Sequence, residues 1–208
     1  MTKEKLYSLL SGGPDSTTLA YDIKKNINPN VICLFINFGQ TFLDRELLAA
    51  RRIAQGLDVS LEEVNIAGLR HAMIGLGEDG GPIIFRGVIE GTYGIASAYA
   101  RHHGAQALYH ANIAEDVDDI PGLDRFFSAL QKAVNILPGA GDFRIESPYI
   151  NIRKKDVIIK AKELGVPLEL TWSCLRPTEI HCGECRSCRR RKEAFQKAGI
   201  ADPTKYLK

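Results

Sequence analysis

The chain has no apolar run approaching the roughly 18 residues that a membrane-spanning helix needs. Its start, from Met1 to Leu10, is too short and polar for a secretory signal, so a cytoplasmic location without a membrane partner is expected. No charge sign dominates: 27 basic and 25 acidic residues leave a formal net charge of +2, which gives little support to direct nucleic-acid binding. Repeats and low-complexity segments are also absent, so a solenoid is excluded. Cysteine is scarce outside one stretch, where Cys33 sits alone in an apolar run and reads as a small core residue. What remains is 208 residues, 45% hydrophobic and 25% charged, enough for one sizeable globular core and a small appended module.

Leu6 to Leu10 is a short apolar run ending in glycines, as a buried parallel strand would be. Helical spacing follows from Ser16 to Lys25, then a second strand from Val31 to Ile36. A helix is predicted from Asp44 to Gly56, with Asp44 as N-cap and Gly56 as stop. Leu61 to Ile66 reads as a third strand. Residues 68–87 are rich in glycine and read either as a loop that closes over a site or as a plain connection. Beyond them come a helix from Glu90 to His103, a strand from Ala107 to Ala111, an acidic turn from Glu115 to Asp119 and a helix from Arg125 to Ile136. Ile145 to Tyr149 then leads into a helix from Lys154 to Leu164 that Gly165 ends. This alternation predicts an α/β fold, a doubly wound, mostly parallel sheet that binds ligands outside the carboxyl ends of its strands.

The loop Ser11-Gly12-Gly13-Pro14-Asp15-Ser16 lies at such an end, between the first strand and its helix. Glycines let backbone approach phosphate oxygens, and the N–H groups of a helix start point at negative charge. The hydroxyls of Ser11, Ser16 and Thr17 add hydrogen bonds. The lysine of the common nucleoside-triphosphatase loop is missing, so a transferring γ-phosphate would not be held in that way.

Four cysteines fall within fifteen residues: Cys174, Cys182, Cys185 and Cys188. Two successive CxxC steps with a fourth thiolate suit a closed tetrahedral Zn2+ site of structural type, with an iron–sulfur cluster as the alternative. His181 beside them reads as a surface histidine. The basic run from Arg186 to Lys192 reads as a solvated helix face whose charge offsets that of the thiolates. Two units are expected on this basis: residues 1–170 as the nucleotide-binding domain, and residues 171–208 as a zinc-binding tail packed on it.

The loop resembles the pyrophosphate (PP) loop SGGxDS of the N-type ATP pyrophosphatases, which have the adenine-nucleotide α-hydrolase-like fold. With the tail, Thr171-Trp172-Ser173-Cys174, the CxxCxxC run, Arg191, Phe195, Gly199, Asp202-Pro203-Thr204 and Tyr206, it resembles the 7-cyano-7-deazaguanine synthase family of queuosine biosynthesis. Phe38-Gly39-Gln40, Glu46-Leu47 and Ser147-Pro148 followed by Lys154 extend the likeness over nearly the whole chain. The resemblance implies an ATP-dependent ligase in which a 7-deazaguanine acid is adenylated and pyrophosphate leaves. An amine donor, ammonia in this family, then gives an amide, and a second activation gives a nitrile. It implies ATP, Mg2+ and Zn2+, a homodimer, and catalytic roles for Asp15, Ser16 and Lys154. Leu10, Ser11, Gly12, Gly13, Pro14, Thr17, Phe38 and Gln40 would join Asp15 and Ser16 around the nucleotide.

The middle departs from that pattern. Arg86-Gly87-Val88-Ile89 stands where the family has Pro-Gly-Arg-Asn, and residues 115–123 share little beyond Pro121 with the family's Asp-x-Ser-Gly-Tyr-Pro-Asp-Cys-Arg. A second reading is therefore a paralogue that conjugates the activated acid to an amine of a protein or nucleic acid, in a modification or phage-defence system. A third is a nucleotide-binding subunit without turnover.

Overall fold

A computed structural model describes residues 4–69, 74–76, 82–84, 86–136 and 141–207. Its centre is a parallel sheet of five strands: β1 (Leu6–Leu9), β2 (Ile32–Asn37), β3 (Leu61–Asn65), β6 (Ala107–Tyr109) and β7 (Arg144–Glu146). Their order is β3-β2-β1-β6-β7, so the chain moves outward from β1 to one side and then returns to pair β6 on the other. That reversal opens a crevice at the carboxyl ends of β1 and β6, where ligands bind in sheets of this kind. Two short strands, β4 (Ile74–Leu76) and β5 (Pro82–Ile84), pair antiparallel outside this sheet. They fall in the glycine-rich stretch read as a loop; Gly77, Gly80 and Gly81, and the side chain of Arg86, lie outside the described residues.

Alternation along β1 sends Leu6 to one face and Tyr7 to the other. On the first face pack α1 (Pro14–Asn26), α2 (Leu43–Leu57) and α6 (Lys154–Leu164), through Leu19, Ile23, Ile53 and Val157. On the second lie α3 (Arg86–His102) and α5 (Leu123–Ile136), where Ala96 and Ala100 let α3 sit close to Leu34 and Leu108. Pro14 opens α1 at a position where its missing N–H is no loss, and Gly165 ends α6 in the left-handed region, as expected.

Three local readings change. Helix α2 starts after Phe42 and runs through Gly56 to Asp58, which adopts φ 52° and stops it. Buried Phe42 sets the start and places Asp44 inside the first turn. The acidic turn is helical instead, as α4 (Ala114–Asp119), because the Asp116 carboxylate accepts the Ile113 N–H at 3.1 Å and caps its own helix. The basic run lies on α7 (Arg186–Ala198), but Arg191 is wholly buried rather than solvated. Its guanidinium donates to Thr171 Oγ1 at 2.7 Å, to the Leu168 carbonyl at 2.9 Å and to Asp202 at 3.2 Å, which satisfies the charge where it lies.

Candidate active site and metal centre

The loop after β1 is tightly braced. Gly12 has φ 80°, and a Cβ there would meet the Glu46 carbonyl oxygen of α2 at 2.6 Å, so only glycine fits this approach. Ser16 Oγ donates to the Gly13 carbonyl at 3.2 Å, accepts the Ser11 N–H at 3.2 Å and lies 3.0 Å from Ser11 Oγ. From the far end of the chain, the Trp172 N–H donates to the Gly12 carbonyl at 2.8 Å.

A cavity of about 320 Å³ opens above the loop, between two walls. Leu10, Ser11, Gly13, Asp15 and Ser16 line its floor. The first wall follows β2 and carries Phe38, Gln40, Phe42 and Glu46; the second carries Thr92 and Tyr93 of α3, His110 and Asn112 after β6, and Asp116 of α4. Thus Leu10, Ser11, Gly13, Asp15, Ser16, Phe38 and Gln40 come together as expected. Gly12, Pro14 and Thr17 do not face the space: Gly12 is turned to α2, and Thr17 is wholly buried beneath the loop.

Burial dominates the electrostatics of both walls. It pushes the Glu46 carboxyl up to about 8, against the lowering effect of the Gln40 amide that donates to it at 3.1 Å. It also drives His110 down to about 3, a neutral imidazole packed on Phe127 with ring centres 3.9 Å apart. Asp116 is raised as well, chiefly by burial and further by the nearby Asp15 charge.

Lys154, at the start of α6, is buried rather than displayed at a helix start. Its Nζ lies 2.5 Å from Asp15 Oδ2, while both oxygens of Glu115 accept its backbone N–H at 3.0 and 3.1 Å. The second oxygen of Asp15 is buried without a partner among the described residues. A carboxylate with one oxygen held by a lysine and the other open is suited to a divalent cation or a phosphate-bound water. Only part of this cluster was named from the sequence. In the sequence Glu46 carries only the family likeness, and no local pattern marks Thr92, Tyr93, His110, Asn112 or Asp116, which the fold brings to the cavity.

The four cysteine sulfurs lie within 4.8 Å of one another, Cys182 and Cys188 at 3.9 Å. Tetrahedral thiolate sites with Zn–S bonds near 2.3 Å require separations of about this size, so the residues fit zinc. Burial opposes ionisation of Cys182, but the N–H groups of Cys185 and Glu184 outweigh it and hold the thiol low. The reading of His181 changes: it is buried, stacks on Trp172 at 4.2 Å and accepts the Ser173 N–H at 3.0 Å. It is therefore packing within the tail rather than surface. Arg186 and Arg190 of α7 pair with Asp119, and Arg190 lies 3.4 Å from Asp116, which joins the cysteine-bearing helix to the second wall.

A glycine loop at the switch point of a five-stranded parallel sheet, with a four-cysteine cluster behind it, defines a fold like that of the adenine-nucleotide α-hydrolases. The fold is shared with the tRNA thiolase NcsA from Methanococcus maripaludis, at TM-score 0.56 and 16% identity over 94% of this chain and 66% of that one. It is also shared with the NH3-dependent NAD synthetase from Campylobacter jejuni, at TM-score 0.50 and 16% identity over 82% and 68%. The family described as queuosine biosynthesis protein QueC matches residues 5–75 and 90–199. Among curated relatives, the 7-cyano-7-deazaguanine synthase of a Sulfurovum species is 35% identical over 99% of both chains. That of Methanoculleus marisnigri is 34% identical over 98% and 99%. The chain belongs to the QueC family.

Proposed function

We propose that the chain is an ATP-dependent 7-cyano-7-deazaguanine synthase, a C–N bond-forming ligase that cleaves ATP to AMP and pyrophosphate. The observation that carries this reading is the Lys154–Asp15 pair at the edge of the glycine loop, with one Asp15 oxygen unpaired. The loop from Ser11 to Ser16 would cup the pyrophosphate, and Lys154 would offset charge that builds on the α-phosphate during attack. Phe38 and Gln40 would hold the adenine side, with the acid substrate against the second wall. Attack by the carboxylate turns a poor leaving oxygen into AMP. Ammonia displaces that AMP to give the amide and loses a proton; a second ATP then adenylates the amide oxygen with release of pyrophosphate, and departure of that oxygen on AMP together with both amide N–H protons gives the nitrile. Mg2+ bound through Asp15 would neutralise phosphate charge. Zn2+ on the four cysteines would organise the tail without taking part in the reaction.

The same proposal takes residues 1–170 as the nucleotide-binding unit and 171–208 as its docked tail, and takes the working form as a cytoplasmic homodimer. Among the described residues no helix is long and apolar enough to cross a membrane. Light scattering tests the dimer. The activity is tested by incubating the protein with ATP, Mg2+ and 7-carboxy-7-deazaguanine, with and without ammonium, and following products by mass. Amide and nitrile with stoichiometric AMP support it; absence of acid-dependent AMP sinks it.

A second reading keeps the activation and changes the acceptor. The family match breaks at residues 76–89, next to the altered residues of the second wall. This favours transfer of the activated acid to an amine of a protein or nucleic acid in a modification or antiviral defence system. AMP formed without free amide or nitrile, with label from the acid on a macromolecule, would select it.

A further inference from the structure

Among the residues of the second wall, His110 stands out because its hydrogen bonding is half complete. It follows β6 and is 1% exposed. Its Nδ1 lies 2.9 Å from Asn112 Oδ1, which also accepts the Tyr93 hydroxyl. The orientation of that amide is fixed from its other end, where Nδ2 donates to Asp116 Oδ2 at 3.4 Å. The oxygen of Asn112 therefore faces the imidazole, and an amide oxygen only accepts. Nδ1 must carry the ring hydrogen, and Nε2 is left as a bare lone pair.

Nε2 is buried and has no hydrogen-bond partner among the described residues. The ring cannot turn to find one: Phe127 covers one side, and Tyr93 meets it edge-on with centres 5.0 Å apart. In such surroundings the imidazole stays neutral at physiological pH and is a poor general base. His110 lines the cavity, and Nε2 is the uncharged acceptor of its ring that is left without a partner among the described residues. A buried acceptor left empty is unfavourable, and a ligand N–H that fills it is favoured over one that cannot.

We infer that His110 is a specificity-determining residue whose Nε2 accepts an N–H of the planar heterocycle in the acid substrate. This rests on the proposed synthase reading, in which adenine lies on the opposite wall with Phe38 and Gln40. Asp116, which orients Asn112, also feels the charges of Asp15 and Lys154, so the polar network around His110 extends toward the glycine loop. The contact selects heterocycles that bear a hydrogen on nitrogen. Alkylated or oxygen-bearing analogues of the same shape leave Nε2 empty and bind worse.

The test uses wild type, His110→Phe and His110→Gln with ATP, Mg2+ and ammonium. The acids are 7-carboxy-7-deazaguanine and its three singly N-methylated forms. Phenylalanine keeps the packing on Phe127 and removes the acceptor, whereas glutamine returns an acceptor oxygen. H110F is expected to raise KM for the parent acid at least tenfold, with KM for ATP held within about twofold. In the wild type one methylated acid should lose at least tenfold against the parent; in H110F that penalty should vanish, and in H110Q it should return. A folded H110F with wild-type KM for the acid overturns the inference, as does a rise in both KM values or an undiminished methyl penalty. If H110F fails to fold, wild type and H110Q decide: no penalty for any methylated acid in either overturns the inference. A wild type that forms no acid-dependent AMP removes the synthase reading and the inference with it, a result distinct from all of these.

Discussion

The two walls of the cavity are built differently. The first, from β2 into α2, is one continuous stretch of chain whose backbone is anchored in the core; Phe42 is buried and Gly12 locks the loop against it. The second is assembled from α3, the end of β6 and α4, and is braced from outside by Arg186 and Arg190 of α7, the helix that carries Cys188. A wall made from one segment folds with its core, whereas a wall made from three depends on whatever holds the three together. The loop side follows the family pattern closely, and the departures from it collect on the assembled side.

The largest test of that difference is metal removal. Chelation should cost on the order of several kcal/mol of apparent stability, because four thiolates close the tail. Calorimetry with and without chelator reads it, and acid binding should fail before ATP binding does. Unchanged melting of the metal-free chain would contradict a structural centre. Next comes Asp15→Asn, on the floor shared by both walls. It should lower acid-dependent AMP release by about 10²–10³-fold with little change in melting, and persistent release would remove Asp15 from the chemistry. Arg190→Ala loosens only the assembled wall. An increase of about five- to tenfold in KM for the acid, with KM for ATP unchanged, would sharpen the contrast between the walls; equal rises in both would break it.

The smallest effect belongs to Glu46 on the continuous wall. The folded chain holds its proton to about pH 8 and the unfolded chain to about 4.5, so its contribution is fully present below about 4.5. That contribution is lost as pH rises toward about 8. Glu46→Gln should match wild type near pH 4 and gain about 1 kcal/mol by pH 8, since opening to the cavity relieves part of the burial penalty. Denaturant melts at the two pH values measure it; a gain that shrinks with pH would reverse the assignment.

Legibility followed the same division. The residues from Ser11 to Ser16 and the cysteine spacing are local patterns fixed by neighbours in sequence: Ser11, Gly13, Asp15 and Ser16 line the cavity and the four sulfurs gather, although Gly12 and Pro14 do not face that space. Lys154 was visible only through family likeness, because its partner Asp15 is 139 positions away. His110, Asn112 and Tyr93 meet only after β6 slots beside β1, so no spacing announces them. A signal did exist: polar residues directly after a parallel strand face the ligand crevice, and His110 and Asn112 occupy that place. Arg191 was misread with its charged neighbours, yet Cys188, Arg191 and Phe195 repeat at helical spacing and mark the buried face of α7. Strands β1, β2, β3 and β6, their mostly parallel sheet and most helices are legible because apolar runs and their periods survive in the sequence, whereas β4 and β5 lie in the stretch that reads as a loop. The start and stop of α2 are not legible, because burial of Phe42 and a left-handed Asp58 set them.

The hydrogen bond from Trp172 to Gly12 reaches across almost the entire chain. During synthesis the first strand and its glycine turn leave the ribosome long before the residue that braces them. The turn thus belongs to the class of contacts that close late, after the intervening loops have been ordered. A growing or truncated chain would carry the whole SGGPDS motif without its finished shape.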